Sequence, residues 1–157
     1  MHDRVDGSEA ARWLSGLGDA LARADVDATL ALFHDDCYWR DFVAFTWNVK
    51  TVEGKAALAD MLRRTLAHTT PSGWQITDAE TVSPTETRLW FTFTTAVGKG
   101  LGIATLHDGR CRSILTTLQS LDGHEEASGP TRPLGVRHGA DRNRTTWAEA
   151  RAAELSG

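Results

Sequence analysis

Asp41 is the residue in this chain best placed to do chemistry. It lies in Cys37-Tyr38-Trp39-Arg40-Asp41-Phe42, where the apolar period changes to two. Cys37, Trp39 and Asp41 should therefore share one face of a strand, and Tyr38, Arg40 and Phe42 the other. Phe45 and Trp47 follow within six residues. Burial among rings disfavours the charged form of a carboxyl group and suits it to general acid or base work. The competing reading is a paired or exposed strand-end aspartate, with Arg40 or Arg63 as its partner.

The chain has six tryptophans and one tyrosine. Large aromatics bury much area, and a cluster of them can wall a cavity for an apolar ligand. Trp39, Phe45, Trp47, Trp74, Phe91 and Phe93 are the candidate substrate-binding walls. Plain core packing is the better reading of Phe91 and Phe93 taken singly, and Trp47, after a short irregular stretch, should line a mouth. Thr117 and Gln119 share one face of the last strand and could supply polar contacts; ordinary strand polarity explains them equally well.

Other chemistries find little support. The histidines are scattered, with no HxH or HxxxH pair, so no metal site is expected. Cys37 and Cys111 lack CxxC spacing and read as small buried thiols. No Gly-x-Ser-x-Gly elbow occurs. Gly98-Lys99-Gly100 reads as a hairpin turn, not a phosphate loop.

These residues need elements to position them. Ser8 can cap a helix to about Ala24, with Trp13, Leu14, Leu17, Ala20, Leu21 and Ala24 on one face. Asp25 caps a second, short helix bearing Val26, Leu30 and Phe33. A third helix follows Gly54 and presents Leu58, Met61, Leu62, Thr65 and Leu66, ending at Pro71-Ser72-Gly73. Four strands come next: Trp74 to Val82, Arg88 to Val97, Leu101 to His107 and Arg110 to Leu121. Their tight turns, Asp108-Gly109 above all, require antiparallel pairing. The reading is α+β: a curved antiparallel sheet, or cone, wrapped by three N-terminal helices, with an apolar hollow at its open end. Residues 1–121 form this domain. Residues 122–157 are a linker-like, extended C-terminal tail, rich in Pro and Gly over 123–144, with a short terminal helix from Trp147 to Leu155.

Composition bounds the partners. A chain of 157 residues suits one domain. The formal charge is −4, with 14 arginines, 3 lysines and no basic run, so no nucleic-acid partner is expected. No apolar run is long enough to span a bilayer and no secretory leader is seen, so the expected location is cytoplasmic.

The order of elements resembles the SnoaL-like and ketosteroid-isomerase-like branch of the nuclear transport factor 2 superfamily. Leu32-Phe33-His34-Asp35-Asp36-Cys37-Tyr38-Trp39-Arg40-Asp41, then Val52-Glu53-Gly54-Lys55 before a helix, then the terminal strands carry the likeness, over about Glu9 to Leu121. It implies binding of a hydrophobic, cyclic small molecule and acid/base chemistry of the isomerase, cyclase, lyase or hydrolase kind. It also implies a homodimer, and it places the family's catalytic aspartate at Asp41. The family's oxyanion-hole acid would fall near Gly102, which has no side chain to donate. Its helix-one tyrosine is unmatched, since Tyr38 is the only tyrosine, so steroid isomerisation is disfavoured. A narrower likeness, through Thr116-Thr117-Leu118-Gln119, Gly123-His124-Glu125-Glu126, Gly129-Pro130, His138-Gly139-Ala140-Asp141-Arg142 and Thr146-Trp147-Ala148-Glu149-Ala150-Arg151, is to the junction in certain flavin-containing monooxygenase-like proteins. It implies that this chain is the N-terminal domain of such a protein or a free-standing relative, with a flavoprotein partner and a non-catalytic substrate-binding or docking role as the alternative to catalysis. No strand followed by GxGxxG occurs, so no cofactor, FAD included, is expected to bind this chain.

Overall fold

The structure is a computed structural model that describes residues 7–124 and 147–156. Its elements run α1 (Gly7–Ala22), α2 (Val26–Leu30), β1 (Phe33–Phe42), β2 (Val49–Glu53), α3 (Gly54–Thr69), β3 (Ser72–Thr81), β4 (Glu86–Thr94), β5 (Gly98–His107), β6 (Arg110–Leu121) and α4 (Trp147–Leu155). The chain divides into two units, Met1–Glu125 and Glu126–Gly157, and α4 belongs to the second. Most of the stretch that resembles a flavin-monooxygenase junction lies outside the described residues.

The helices form where apolar residues recur at helical spacing. Ala10, Trp13, Leu14, Leu17, Ala20 and Leu21 of α1 are all buried. The helix stops at Ala22 because the chain turns left-handed at Ala24 (φ 51°), and the Asp25 N–H returns to Ala20 O at 2.9 Å. Asp25 then caps α2, its Oδ1 accepting from Ala28 N at 3.0 Å. Trp13 Nε1 donates to Leu32 O at 3.0 Å and ties α1 to the start of β1. On α3, Leu58 and Leu62 are fully buried. Each contributes roughly 1.5–3 kcal/mol by leaving water.

The sheet has the order β2-β1-β6-β5-β4-β3. Every neighbouring pair is antiparallel except β1 and β6, which run parallel. The sheet is thus mixed, and the expectation of a wholly antiparallel sheet holds for β3 to β6 and for β1 with β2. Tight turns fix the direction of successive strands, but the long connection from β1 to β6 leaves theirs free. Residues 49–53 are also a strand, paired along β1 from Tyr38–Glu53 to Phe42–Val49. Register shifts in β1, β3 and at both ends of the β5–β6 pair mark bulges that bend the sheet. The sheet is curved and does not close.

Its inner face carries Trp39, Leu89, Phe91, Phe93, Ala104 and Ile114, all at or below 1 % exposure, against the helices. The outer face carries Tyr38 and Leu101, 46 % and 42 % exposed. Two glycines of β5 set how the core fills. Gly100 pairs with Phe93 and Gly102 with Phe91 across the strands, and each ring lies over its glycine so closely that a Cβ there would run into it. Gly102 is where the family resemblance would put an oxyanion-hole acid. In this chain the position makes room for an aromatic ring.

Candidate functional site

Strand alternation turns Asp41 inward, as expected, and its side chain is fully buried. Four donors converge on it. Oδ2 accepts from Phe45 N at 3.0 Å, Thr46 N at 2.8 Å and Thr46 Oγ1 at 2.9 Å. Oδ1 accepts from Thr116 Oγ1 at 2.7 Å. Thr116 in turn accepts from Trp39 Nε1 at 2.8 Å, so the directed chain runs indole, hydroxyl, carboxyl. The parallel β1–β6 register puts Asp41 beside Thr116, which is why those two meet. The Thr46 hydroxyl has one hydrogen, and Asn48 O at 3.0 Å competes with Asp41 for it. Neither Arg40 nor Arg63 pairs with Asp41.

The residues between β1 and β2 form a short loop folded back onto the core. Val43 N donates to Asn48 O at 2.9 Å and closes it. Ala44 and Phe45 are buried, while Trp47 is 53 % exposed. Val43 and Trp47 both have φ 55°, the left-handed region that suits glycine. For a β-branched valine this is strained. Asp41 gathers the amides of Phe45 and Thr46, and from the other side His68 Nε2 donates to Phe45 O at 3.1 Å. The Phe45 peptide is therefore gripped between the carboxyl group and α3.

Of the expected walls, Trp39, Phe45, Phe93, Trp74 and Phe91 form one continuous ring series. Centroid separations are 5.1 Å for Trp39–Phe45, 6.0 Å for Phe45–Phe93 and 4.8 Å for Trp74–Phe93. These rings pack on one another inside the cone, and of the five Phe45 and Phe91 also border clefts. Trp47 stands apart in solvent. Thr117 is on the outer face with Trp90, Leu101 and Leu115, and Gln119 is exposed. Thr116, one residue from the expected Thr117, is the polar residue that reaches Asp41. Thr46 and His68 also escaped the sequence reading; Met61, Thr65 and His68 at helical spacing were the available signal for the last.

Among the described residues Asp41 lines none of the four principal clefts, but one of them is a single loop's thickness away. It has a volume of about 660 Å³ and lies between the loop, β2 and α3. Phe45, Val52 and Met61 supply its apolar floor, and Thr46, Asn48, Lys50, Arg64 and His68 its polar rim. Arg64 is held by Asp60 at 3.2 Å. Because a carbonyl only accepts, His68 Nε2 must carry the hydrogen in its bond to Phe45 O, which leaves Nδ1 of the neutral ring an acceptor.

Cys37 and Cys111 are buried free thiols on the adjacent strands β1 and β6. Burial pushes Cys37 above its ordinary value and Cys111 well above it, and Cys37 itself adds to the shift at Cys111. Among the described residues no three His, Cys, Asp or Glu side chains converge as metal ligands, and no helix is long and apolar enough to cross a membrane.

The model of the SnoaL-like domain matches residues 14–117. No curated protein sequence matches the chain. Several solved structures share its fold. A domain of unknown function with a cystatin-like fold from Nostoc punctiforme is 13 % identical, with a TM-score of 0.62 over 74 % of this chain and 79 % of that one. A ketosteroid isomerase-like protein from Erwinia carotovora atroseptica is 15 % identical, with a TM-score of 0.59 over 76 % and 99 %. An NTF-2-like protein of unknown function from Shewanella oneidensis is 12 % identical, with a TM-score of 0.57 over 71 % and 98 %.

Proposed function

The chain belongs to the SnoaL-like family, and from that premise we propose that it binds a hydrophobic, cyclic small molecule and acts on it through Asp41 as acid or base, behind a gate made of the 43–48 loop. The observation that carries this reading is the loop itself. Phe45 and Thr46 donate to Asp41 on one side and line the 660 Å³ cleft on the other. Swinging these two residues outward joins carboxyl group and cleft in one step. The positive-φ residues Val43 and Trp47 stand at either end of the moving part. Strained backbone of this kind is kept where a segment must switch. The closed state, with four donors on Asp41, is the resting state; a ligand that replaces the Thr46 donors with its own polar group takes up the carboxyl group's freed lone pairs.

Two features support cyclic and apolar substrates. The floor beneath the gate is aromatic, and a ring stacks on Trp39 or Phe93 once Phe45 withdraws. The cleft's polar side chains stand at its rim, around the apolar floor of Phe45, Val52 and Met61 on which a hydrophobic body can rest. The test is a thermal-shift screen of cyclic ketones, phenols and epoxides, followed by turnover of whatever binds. Asp41→Asn should keep binding within a few-fold and abolish turnover. Full turnover in that variant, or a ligand bound elsewhere with the loop still closed on Asp41, would discard the reading.

We further propose that a second copy of the chain covers the outer face of the sheet, where Tyr38, Leu101, Ile103 and Leu115 leave apolar surface in water.

A further inference from the structure

Away from Asp41, a second concavity of about 520 Å³ opens where the end of α1, the start of α2 and the end of α3 meet. Its floor is Leu21, Leu62 and Leu66, each at or below 8 % exposure. Ala22, Ala24 and Ala67 form its sides, and their short side chains leave the trough unfilled. Pro71 closes one end. Two polar residues reach it: Thr70, and Arg63, whose guanidinium makes no ion pair among the described residues. The neighbouring Arg64 is by contrast held by Asp60 at 3.2 Å.

The backbone around this groove is shaped at some cost. Ala24 (φ 51°) and Thr70 (φ 40°) both adopt the left-handed conformation, and both line the groove. Glycine would meet either turn without strain. With alanine and threonine there, the chain bends sharply at both helix ends and keeps α2 and Pro71 beside the trough.

We propose that this groove is a binding site for an anionic amphiphile, a molecule with a short hydrocarbon body and one carboxylate head. The body lies over Leu21, Leu62 and Leu66. The head meets the fork of Arg63, whose planar donors match two oxyanion oxygens at once. A cationic head is excluded by the guanidinium, and a neutral head leaves its donors facing water only. The site is independent of Asp41, and none of its residues takes part in the Asp41 network.

Calorimetric titration of the full chain with decanoate tests it, with decanol and decyltrimethylammonium as the neutral and cationic counterparts. Decanoate should bind about tenfold more tightly than decanol, since a charge-assisted pair at a partly wet site is worth roughly that factor. Arg63→Gln should reduce decanoate to the level of decanol and leave decanol unchanged. Ala67→Phe, which fills the trough from an exposed helix position, should abolish both, while Asp41→Asn should alter neither. Unfolding transitions of the Arg63 and Ala67 variants should match the parent, so that loss of binding is not loss of fold. No binding at millimolar decanoate, equal affinity for decyltrimethylammonium, or decanoate affinity unchanged in Arg63→Gln would overturn the proposal.

Discussion

Asp41 shows how one buried side chain can organise its surroundings. A fully buried carboxyl group needs partners for its oxygens, and two kinds of donor supply them here: two amides and two hydroxyls, with an indole behind one hydroxyl. Thr116→Val removes the central hydroxyl with little change in shape. It strands Trp39 Nε1 without an acceptor and takes a donor from Asp41, so equilibrium unfolding in urea should show a loss of about 2–4 kcal/mol, summed over two buried groups. A surviving stability within 0.5 kcal/mol, about the usual size of a surface change, would mean that this chain of bonds carries little. The two thiols give a pH signature. Both hold their protons more tightly folded than unfolded, because burial raises them from the ordinary value of 9.0. The stability this contributes is complete below that value and declines as pH rises past it, because the unfolded chain then releases protons the folded chain keeps. Unfolding free energies measured at intervals from neutral pH into this alkaline range should fall, and Cys111→Ala should flatten the fall. Native protein should react with a disulfide reagent only as fast as it opens.

At the scale of elements, what decides the shape of the interior is the pairing of glycine on β5 with phenylalanine on β4. Gly102→Ala drives a Cβ into the Phe91 ring and also to 3.0 Å from Leu115 O on the next strand. With strand backbone on one side and a buried ring on the other, the loss expected in thermal or urea unfolding is about 3 kcal/mol or more. An exposed strand glycine would lose nothing by the same change, so a neutral result would show that the ring has room to move. Val43→Gly is the opposite case. Releasing a β-branched residue from φ 55° gains roughly 1–2 kcal/mol, against about 0.5–1 lost to a freer unfolded chain. The variant should be no less stable than the parent, and amide exchange in residues 43–48 should slow, because the strain that favours opening is gone. The elements themselves were largely legible. Trp13, Leu14, Leu17 and Leu21 announce α1, Asp25 announces its cap, and Phe91 and Phe93 alternate as a half-buried strand must. Asp41 facing inward beside Trp39 followed from a period of two. The bonds to Thr116 and Thr46 did not, because they depend on a parallel register and a loop conformation that no local pattern encodes. The close approach of the Phe91 and Phe93 rings to Gly102 and Gly100 did not follow either, since nothing in the spacing of the two phenylalanines reports it.

For the whole molecule the question is what covers the sheet's second face. The inner face is sealed by helices, and β2 and β3 leave the sheet open at its edges. The outer face alternates Tyr38, Arg40 and Phe42 on β1 with Leu101, Ile103 and Thr105 on β5 and Ser113, Leu115 and Thr117 on β6. Apolar and polar positions there are mixed, and the apolar ones cluster around Leu101, Ile103, Leu115 and Trp90, where a small hollow of about 210 Å³ opens. In the proposed pair a two-fold axis would set the hollow of each copy against the exposed Leu101 of the other. A stable pair buries about 1,200–2,000 Å² in total, which a six-stranded face can supply. Light scattering after size-exclusion chromatography should therefore give twice the mass of 17.2 kDa at micromolar concentration. Leu101→Glu places a charge in the shared core and should return the protein to a monomer with its unfolding cooperativity intact. A parent chain that elutes as a monomer at about 100 μM, far above the dissociation constant expected of an interface of that size, would refute the pairing and leave this face to some other partner.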